Sequence, residues 1–346
     1  MSRDPWLLYA LGGGLGHLQR ALALARQVAP WQPLRLLVNS RAWPRVEPQL
    51  SHLLAPAALA NLAIQWRSPA LGLAATQAWI TAEWAKPARA LIIDTFPRGL
   101  LGELAELLPA GPRPRILIHR DLNPDYVQAK NLLPFTAQHY EHILIPGEGT
   151  SLPLAALPQI QHTEPWLLYG AAELPSPEAA RVRLGLGDDP RPLVIVLAAG
   201  RPEELAGYGQ LTATLHQTYP HLAVRCLALE LPPGCPPPLW QACYPALAVL
   251  PAASLVVGGG GYHTVYECQA AGVPLVAWPR SRRYDRQALR VARQGPALCP
   301  VHSQAEAVAA VGAWSPTALP ARRPAAGETG AIAAAAAIRE LCRTFA

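Results

Sequence analysis

Short apolar runs alternate with stretches of helical spacing along most of the chain, the pattern of parallel sheets built from βαβ units. In the first half, residues 6–11, 34–38, 90–93, 115–119 and 142–145 predict strands, and residues 18–28 and 100–108 predict helices between them. In the second half, residues 193–198, 222–229, 255–257 and 274–277 read as strands. Residues 264–271 there predict a helix that ends at Gly272, a residue suited to the position after a helix terminus. A passage with eight prolines, residues 146–192, separates the halves and holds a short helix over 177–184. The alanine-rich stretch 331–345 is a helix by propensity.

The division expected is an N-terminal domain over 1–165, a second domain over 166–330 and a terminal helix, 331–346, that packs back towards the first domain. Each half has a glycine cluster between a strand and a helix. Two Rossmann-like domains facing each other would place both clusters at a central cleft.

Half of the residues are hydrophobic and only 15% are charged, which excludes a disordered chain. Six cysteines lie in the second half (Cys226, Cys235, Cys243, Cys268, Cys299 and Cys342). None forms a C-x-x-C pair, so reduced thiols fit better than a zinc site or a disulfide framework. Glycines 12–14 interrupt the first apolar run, so a signal peptide does not fit there. The longest uncharged stretch, 231–266, is broken by prolines and glycines, and no membrane span is expected. These features together point to a cytoplasmic protein.

The first cluster reads Leu11-Gly12-Gly13-Gly14-Leu15-Gly16-His17. Such glycines let the backbone turn tightly and bring a ligand to the amides of a helix N-terminus. It is not a dinucleotide fingerprint: His17 stands where the third glycine belongs, and the next strand ends in Asn39-Ser40, not in an acid. Nor does the Lys-Ser/Thr of a P-loop follow. A bare strand-to-helix turn remains the alternative. His17, exposed at a helix head that keeps it neutral, is a candidate general base.

The second cluster runs through Gly258, Gly259, Gly260 and Gly261 into Tyr262-His263-Thr264, with Glu267 following. Four glycines before a helix form a cradle for phosphate. Thr264-x-x-Glu267 is also a capping box, so Glu267 either holds its own helix end or accepts ribose hydroxyls. Downstream, residues 280–293 hold six arginines and Asp285. The formal charge of +6 splits evenly between residues 1–165 and 166–346, so no whole domain is basic, and within the second half the excess sits in this run. It reads either as a solvated face or as an attraction for anionic lipid or a phosphorylated substrate. Nucleic acid is not expected, because Tyr284 is the run's lone aromatic residue and no recognised module accompanies it.

Taken together, these motifs resemble the bacterial GT-B glycosyltransferases of the family 28 type, over essentially the whole chain. The best-known relative moves N-acetylglucosamine from UDP onto a lipid-linked muramyl-pentapeptide. The residues that carry the likeness are Gly12–Gly16 with His17 and Arg20, then Gly258 to Gly261, Thr264, Glu267, Gly272-Val273-Pro274, Pro279 and Asp285-Arg286-Gln287. Asp94-Thr95-Phe96-Pro97-Arg98-Gly99 with Glu103-Leu104, and His119-Arg120-Asp121, are similar to a poorly characterised branch of predicted bacterial glycosyltransferases.

The resemblance implies an α/β protein of the GT-B fold, with an acceptor-side first domain and a second domain for a nucleotide-sugar donor. It implies no metal and no cofactor beyond that co-substrate. The acceptor would be a glycan or lipid-linked molecule, with peripheral contact at the inner membrane face left open. Glu267 would bind the ribose, and Gly260, Gly261 and Thr264 the diphosphate. Gln287 would hold the sugar, with Asp285 and His263 beside it, and Gly13, Gly14 and Gly16 of the first loop would also bind the donor. The sequence departs from the family's pattern at Ala288 and Val291, where glutamine and asparagine are its habit, and at His263, where the closer branch has asparagine. The identity of the sugar is therefore open.

The chemistry expected is an inverting transfer, with His17 taking the acceptor proton and Asp94 or Asp121 orienting the imidazole. Each aspartate has a plainer reading, Asp94 as a turn cap and Asp121 as an Asx turn before Asn123-Pro124. Arg201 or Arg282 would meet the leaving diphosphate, with a place on the surface the plainer reading of Arg201. Nucleotide-sugar hydrolysis, epimerisation and non-catalytic binding on the same fold are the alternatives.

Overall fold

The computed structural model describes residues 4–149, 151–294, 297–315 and 329–345. The chain divides into two units. Met1–Leu168, Arg283–Asp285 and Thr329–Ala346 form the first; Tyr169–Arg282 and Arg286–Glu328 form the second.

The first unit is built on seven strands: β1 (Trp6–Ala10), β2 (Leu34–Val38), β3 (Leu62–Trp66), β4 (Ala90–Asp94), β5 (Arg115–Ile118), β6 (His142–Pro146) and β7 (Ile160–Thr163). All pair in parallel, in the order β3-β2-β1-β4-β5-β6-β7. Every residue of β1, β2, β4 and β5 is buried, as parallel strands covered on both faces require. The helix Leu15–Val28 is buried through Leu18, Leu22, Ala25 and Val28, and packs against the C-terminal helix Gly330–Thr344. Thr329 caps that second helix, and its hydroxyl also joins the backbone of Leu167.

The second unit holds β8 (Leu193–Leu197), β9 (Ala223–Leu227), β10 (Trp240–Gln241), β11 (Leu255–Gly259), β12 (Leu275–Trp278) and β13 (Leu298–Pro300). These too are parallel, in the order β10-β9-β8-β11-β12-β13. In both sheets the order reverses beside the first strand, between β1 and β4 and between β8 and β11. The crevice outside the carboxyl ends at such a reversal is where open α/β sheets bind ligands. Both glycine clusters follow strands at these points.

Three expectations need correction. Residues 100–108 do not form a helix. Gly99 and Gly102 adopt φ of +78° and +89°, Glu103 accepts from the Leu101 amide and the Tyr9 hydroxyl, and only a short turn, Leu108–Ala110, is helical. The proline-rich passage contains the edge strand β7 as well as the helix Pro177–Arg183. The helix expected over 264–271 begins earlier, at Tyr262 with Gly261 as N-cap. No helix among the described residues is long and apolar enough to cross a membrane.

Candidate active site

At the first reversal, Gly14 is the N-cap of Leu15–Val28, which makes His17 the third residue of that helix. Its side chain is 17% exposed, so it is partly sunk rather than fully exposed as expected. Asp94 ends β4 and is buried, and its Oδ2 lies 2.5 Å from His17 Nδ1. Arg20, one turn along the helix, is wholly buried and forks onto the same carboxylate, Nε at 2.9 Å from Oδ1 and Nη2 at 2.8 Å from Oδ2. Its Nη2 also reaches Thr95 Oγ1 at 3.0 Å. Thr95 holds a φ of +70°, a strained conformation for a β-branched residue.

Burial alone would raise the Asp94 carboxyl, but Arg20 and then His17 outweigh it and hold it well below the usual carboxylate range. An ionised carboxylate only accepts, so His17 carries its proton on Nδ1 and keeps a lone pair on Nε2. Burial pushes the imidazole below its ordinary pKa; Asp94 works against this, and Arg20 and Arg120 reinforce it. The result is a neutral, oriented imidazole at physiological pH.

The loop beneath explains its glycines. A Cβ on Gly12 would fall 2.2 Å from His17 Nε2 and Cδ2, so the imidazole sits where any other residue would put its side chain. Gly13 takes a φ of +71°. The amides of Gly12 and Gly13 both donate to Asn39 Oδ1 at 2.9 Å, which commits them to the protein rather than to a phosphate. Asn39, noted in the sequence only as the residue standing in place of a ribose-binding acid, is thus the loop's anchor. A polar-edged cavity of about 60 Å³ adjoins it, lined by Leu11, Asn39, Arg67, Trp79 and Glu103.

Phe96 stacks on His17 at 5.6 Å between ring centroids, and Tyr126 and Tyr284 pack edge-on against Phe96. Asp121 is buried in the turn after β5, and Asn123, not Asp121, caps the following helix. Among the described residues the carboxylate that meets His17 is Asp94. Asp285 pairs with Leu122 and lies 3.5 Å from Arg120, whose Nη2 is 3.6 Å from Glu148.

At the second reversal, the four glycines have different reasons to be glycine. A Cβ on Gly258 would strike Thr264 Cγ2 at 2.9 Å, and one on Gly260 would strike Val291, Pro279 and Gln287 at 2.9–3.1 Å. These two are packing requirements. Gly261 faces open space, its nearest neighbour being Gln287 Nε2 at 3.9 Å, and no side chain caps the helix it begins. Gln287 is buried and accepts the Arg280 amide at 2.9 Å; Arg290, buried beneath, donates to the Gly260 carbonyl at 3.2 Å.

Glu267 is the sixth residue of the helix and is buried, so the capping alternative falls. His263, one turn before, places Nδ1 3.8 Å from its carboxylate. Arg201 is 57% exposed at the head of Pro202–Thr218. The arginine run is divided: Arg282 pairs with Glu204, Arg280 lies 3.4 Å over the Trp278 ring and Arg290 is buried, whereas Arg283 and Arg293 are exposed. No group of three or more His, Cys, Asp or Glu that could hold a metal ion occurs among the described residues.

No family model matches the chain, and no curated protein sequence does. Solved structures do. UGT89C1 of Arabidopsis thaliana is similar with a TM-score of 0.64 at 15% identity, covering 98% of this chain and 100% of that one. A UDP-glucosyltransferase from Polygonum tinctorium that glucosylates indoxyl gives 0.62 at 12%, covering 99% and 100%. MurG of Acinetobacter baumannii gives 0.56 at 14%, covering 97% and 100%. Likeness over nearly the whole of both chains, with two parallel Rossmann-like sheets, defines the class: this is a protein of the GT-B fold.

Proposed function

We propose that the protein is a glycosyltransferase that moves a hexosyl group from a nucleotide-diphosphate sugar to an acceptor hydroxyl with inversion. The observation that carries this reading is the His17–Asp94 pair, a neutral imidazole with its Nε2 lone pair available at a ligand-binding reversal point. In the step proposed, His17 Nε2 takes the acceptor proton as the acceptor oxygen bonds to the sugar C1. The C1–O bond to the diphosphate breaks and its electron pair leaves with the nucleotide. The imidazolium formed is stabilised by Asp94 and returns its proton to water.

The second unit supplies a place for the donor. The uncapped helix at Gly261 offers its dipole and first-turn amides to a diphosphate, with Thr264 beside them. We assign Glu267 to the ribose, Gln287 to the sugar, and His263 to the support of Glu267. UDP is the nucleotide favoured, in keeping with the Polygonum enzyme's name and with the Arabidopsis protein's complex with UDP. A rhamnosyltransferase of the same fold binds thymidine diphosphate, so both nucleotides belong in any trial. An envelope glycan or lipid-linked molecule, met in the cytoplasm or at the membrane face, is the acceptor class we propose. The commitment of Arg282 and Arg290 within the protein gives a membrane contact no added support.

His17→Ala tests the reading. Transfer should fall at least about a hundredfold, the usual weight of a general base, while donor affinity persists. Unchanged transfer would remove His17 from the mechanism. Release of free sugar without any acceptor would instead mark a hydrolase.

A further inference from the structure

Arg20 takes no part in the step above, yet its side chain is entirely shut off from water. A buried guanidinium costs several kcal/mol unless its donors are met in good geometry. Here Nε and Nη2 find their acceptors at one address. Nε and Nη2 fork onto the two oxygens of Asp94, Nη2 also donates to Thr95 Oγ1, and the same Nη2 stands 3.4 Å from His17 Nδ1. Asp94 Oδ2 therefore sits between the imidazole and the guanidinium, with the Thr95 hydroxyl at 3.2 Å.

We propose that Arg20 is a positioning residue of the transfer: its fork holds Asp94 in the orientation that accepts the Nδ1–H hydrogen bond, and its charge partly balances Asp94 so that His17 stays neutral. The proposal rests on the reading of His17 as the base. Two features distinguish it from an ion pair that merely holds the fold. The guanidinium is close enough to Nδ1 to oppose a charge on the ring, and the adjoining Thr95 is kept at a strained φ of +70° with its hydroxyl in the network.

The charges facing His17 come from three elements. Arg20 shares its helix, Asp94 comes from the end of β4, and Arg120 comes from the turn after β5. Arg120 has its own carboxylates, Glu148 and Asp285, close by. The charge of Asp94 is the one aimed at the imidazole; burial of the ring opposes it most, and Arg20 adds to that opposition. Without Arg20 the carboxylate would stabilise the imidazolium, and the base would be protonated, hence inactive, up to a higher pH.

The test titrates the His17 imidazole by NMR in the wild type, Arg20→Gln and Arg20→Lys, alongside the pH profile of kcat/KM. In Arg20→Gln, the imidazole pKa and the acid limb of the profile should both move up by about one unit or more. Arg20→Lys keeps the charge but cannot fork, so its pKa should stay near that of the wild type while kcat falls about tenfold. An Arg20→Gln protein with unshifted imidazole and acid limb, and only a lower Tm, would overturn the proposal. Should that variant fail to fold, Arg20→Lys decides: wild-type kcat and pH profile at reduced Tm would overturn it equally. The titration needs no turnover, so a wild type that transfers no sugar would defeat the transferase reading separately from the role of Arg20 on the ring.

Discussion

His17, Asp94 and Arg20 show what single residues contribute. Two of them lie one helical turn apart, and the third comes from a strand end far along the chain, yet they share one carboxylate. Removing a partner from such a buried group strands the others. Asp94→Ala should cost about 3–5 kcal/mol because Arg20 is left uncompensated, while Asp94→Asn should fold better and still lose transfer. Denaturant unfolding beside an activity assay separates the two. Gly12→Ala tests the floor of the site: its Cβ would intrude on His17 Nε2, so kcat should fall at least about tenfold, a loss of about 1.4 kcal/mol in the transition state. Wild-type kcat in that variant would mean that the imidazole works from another position.

The acid limb of the rate follows from the same residues. Burial and the two arginines lower the His17 pKa, so the base is neutral above its ordinary value of about 6.5 and stays so for some distance below it. Activity should be flat through neutrality and fall only as the pH drops beneath that value. A limb above pH 7 would contradict the proposed balance of charges around the ring.

At the scale of elements, the central strands were legible because parallel strands buried on both faces are continuous apolar runs, as in Leu193–Leu197. The edges were not. β3 and β7 are only half-buried and mix polar with apolar residues, and β10 and β13 are two and three residues long. Residues 100–108 have helical apolar spacing, but the left-handed glycines at 99 and 102 and the buried Glu103 override it. His17 and Asp94 could be found from motif order. Arg20 enters the sequence reading only as a member of the first glycine motif, and Asn39 only as a non-acidic strand end; neither pattern tells that Arg20 forks onto Asp94 or that Asn39 holds two glycine amides.

The helix Tyr262–Ala270 carries a prediction of its own. Glu267 is buried and not a cap, so Glu267→Ala should weaken nucleotide binding at least about tenfold, or 1.4 kcal/mol, while lowering Tm less than a packing change does. Gly260→Ala is the matching packing change, expected to cost about 1–3 kcal/mol because Val291, Pro279 and Gln287 leave no room. Calorimetric titration and thermal unfolding of both variants check the pair. Equal loss of affinity and stability in Glu267→Ala would make it a structural residue.

For the molecule as a whole, two parallel α/β units, each with a glycine turn at its own reversal point, account for the GT-B likeness better than any single motif does. The +6 charge that looked like a surface property is in part internal, with Arg20 and Arg290 buried and Arg282 paired. The account stands on the protein binding a nucleotide-sugar, which thermal unfolding against UDP, thymidine diphosphate and their sugars measures directly. A ligand at a hundred times its Kd adds about 2.7 kcal/mol. For units of this size that raises Tm by roughly 5–10 °C. A shift of that order with at least one of these compounds is the predicted result, and an unmoved Tm with every one of them would contradict it.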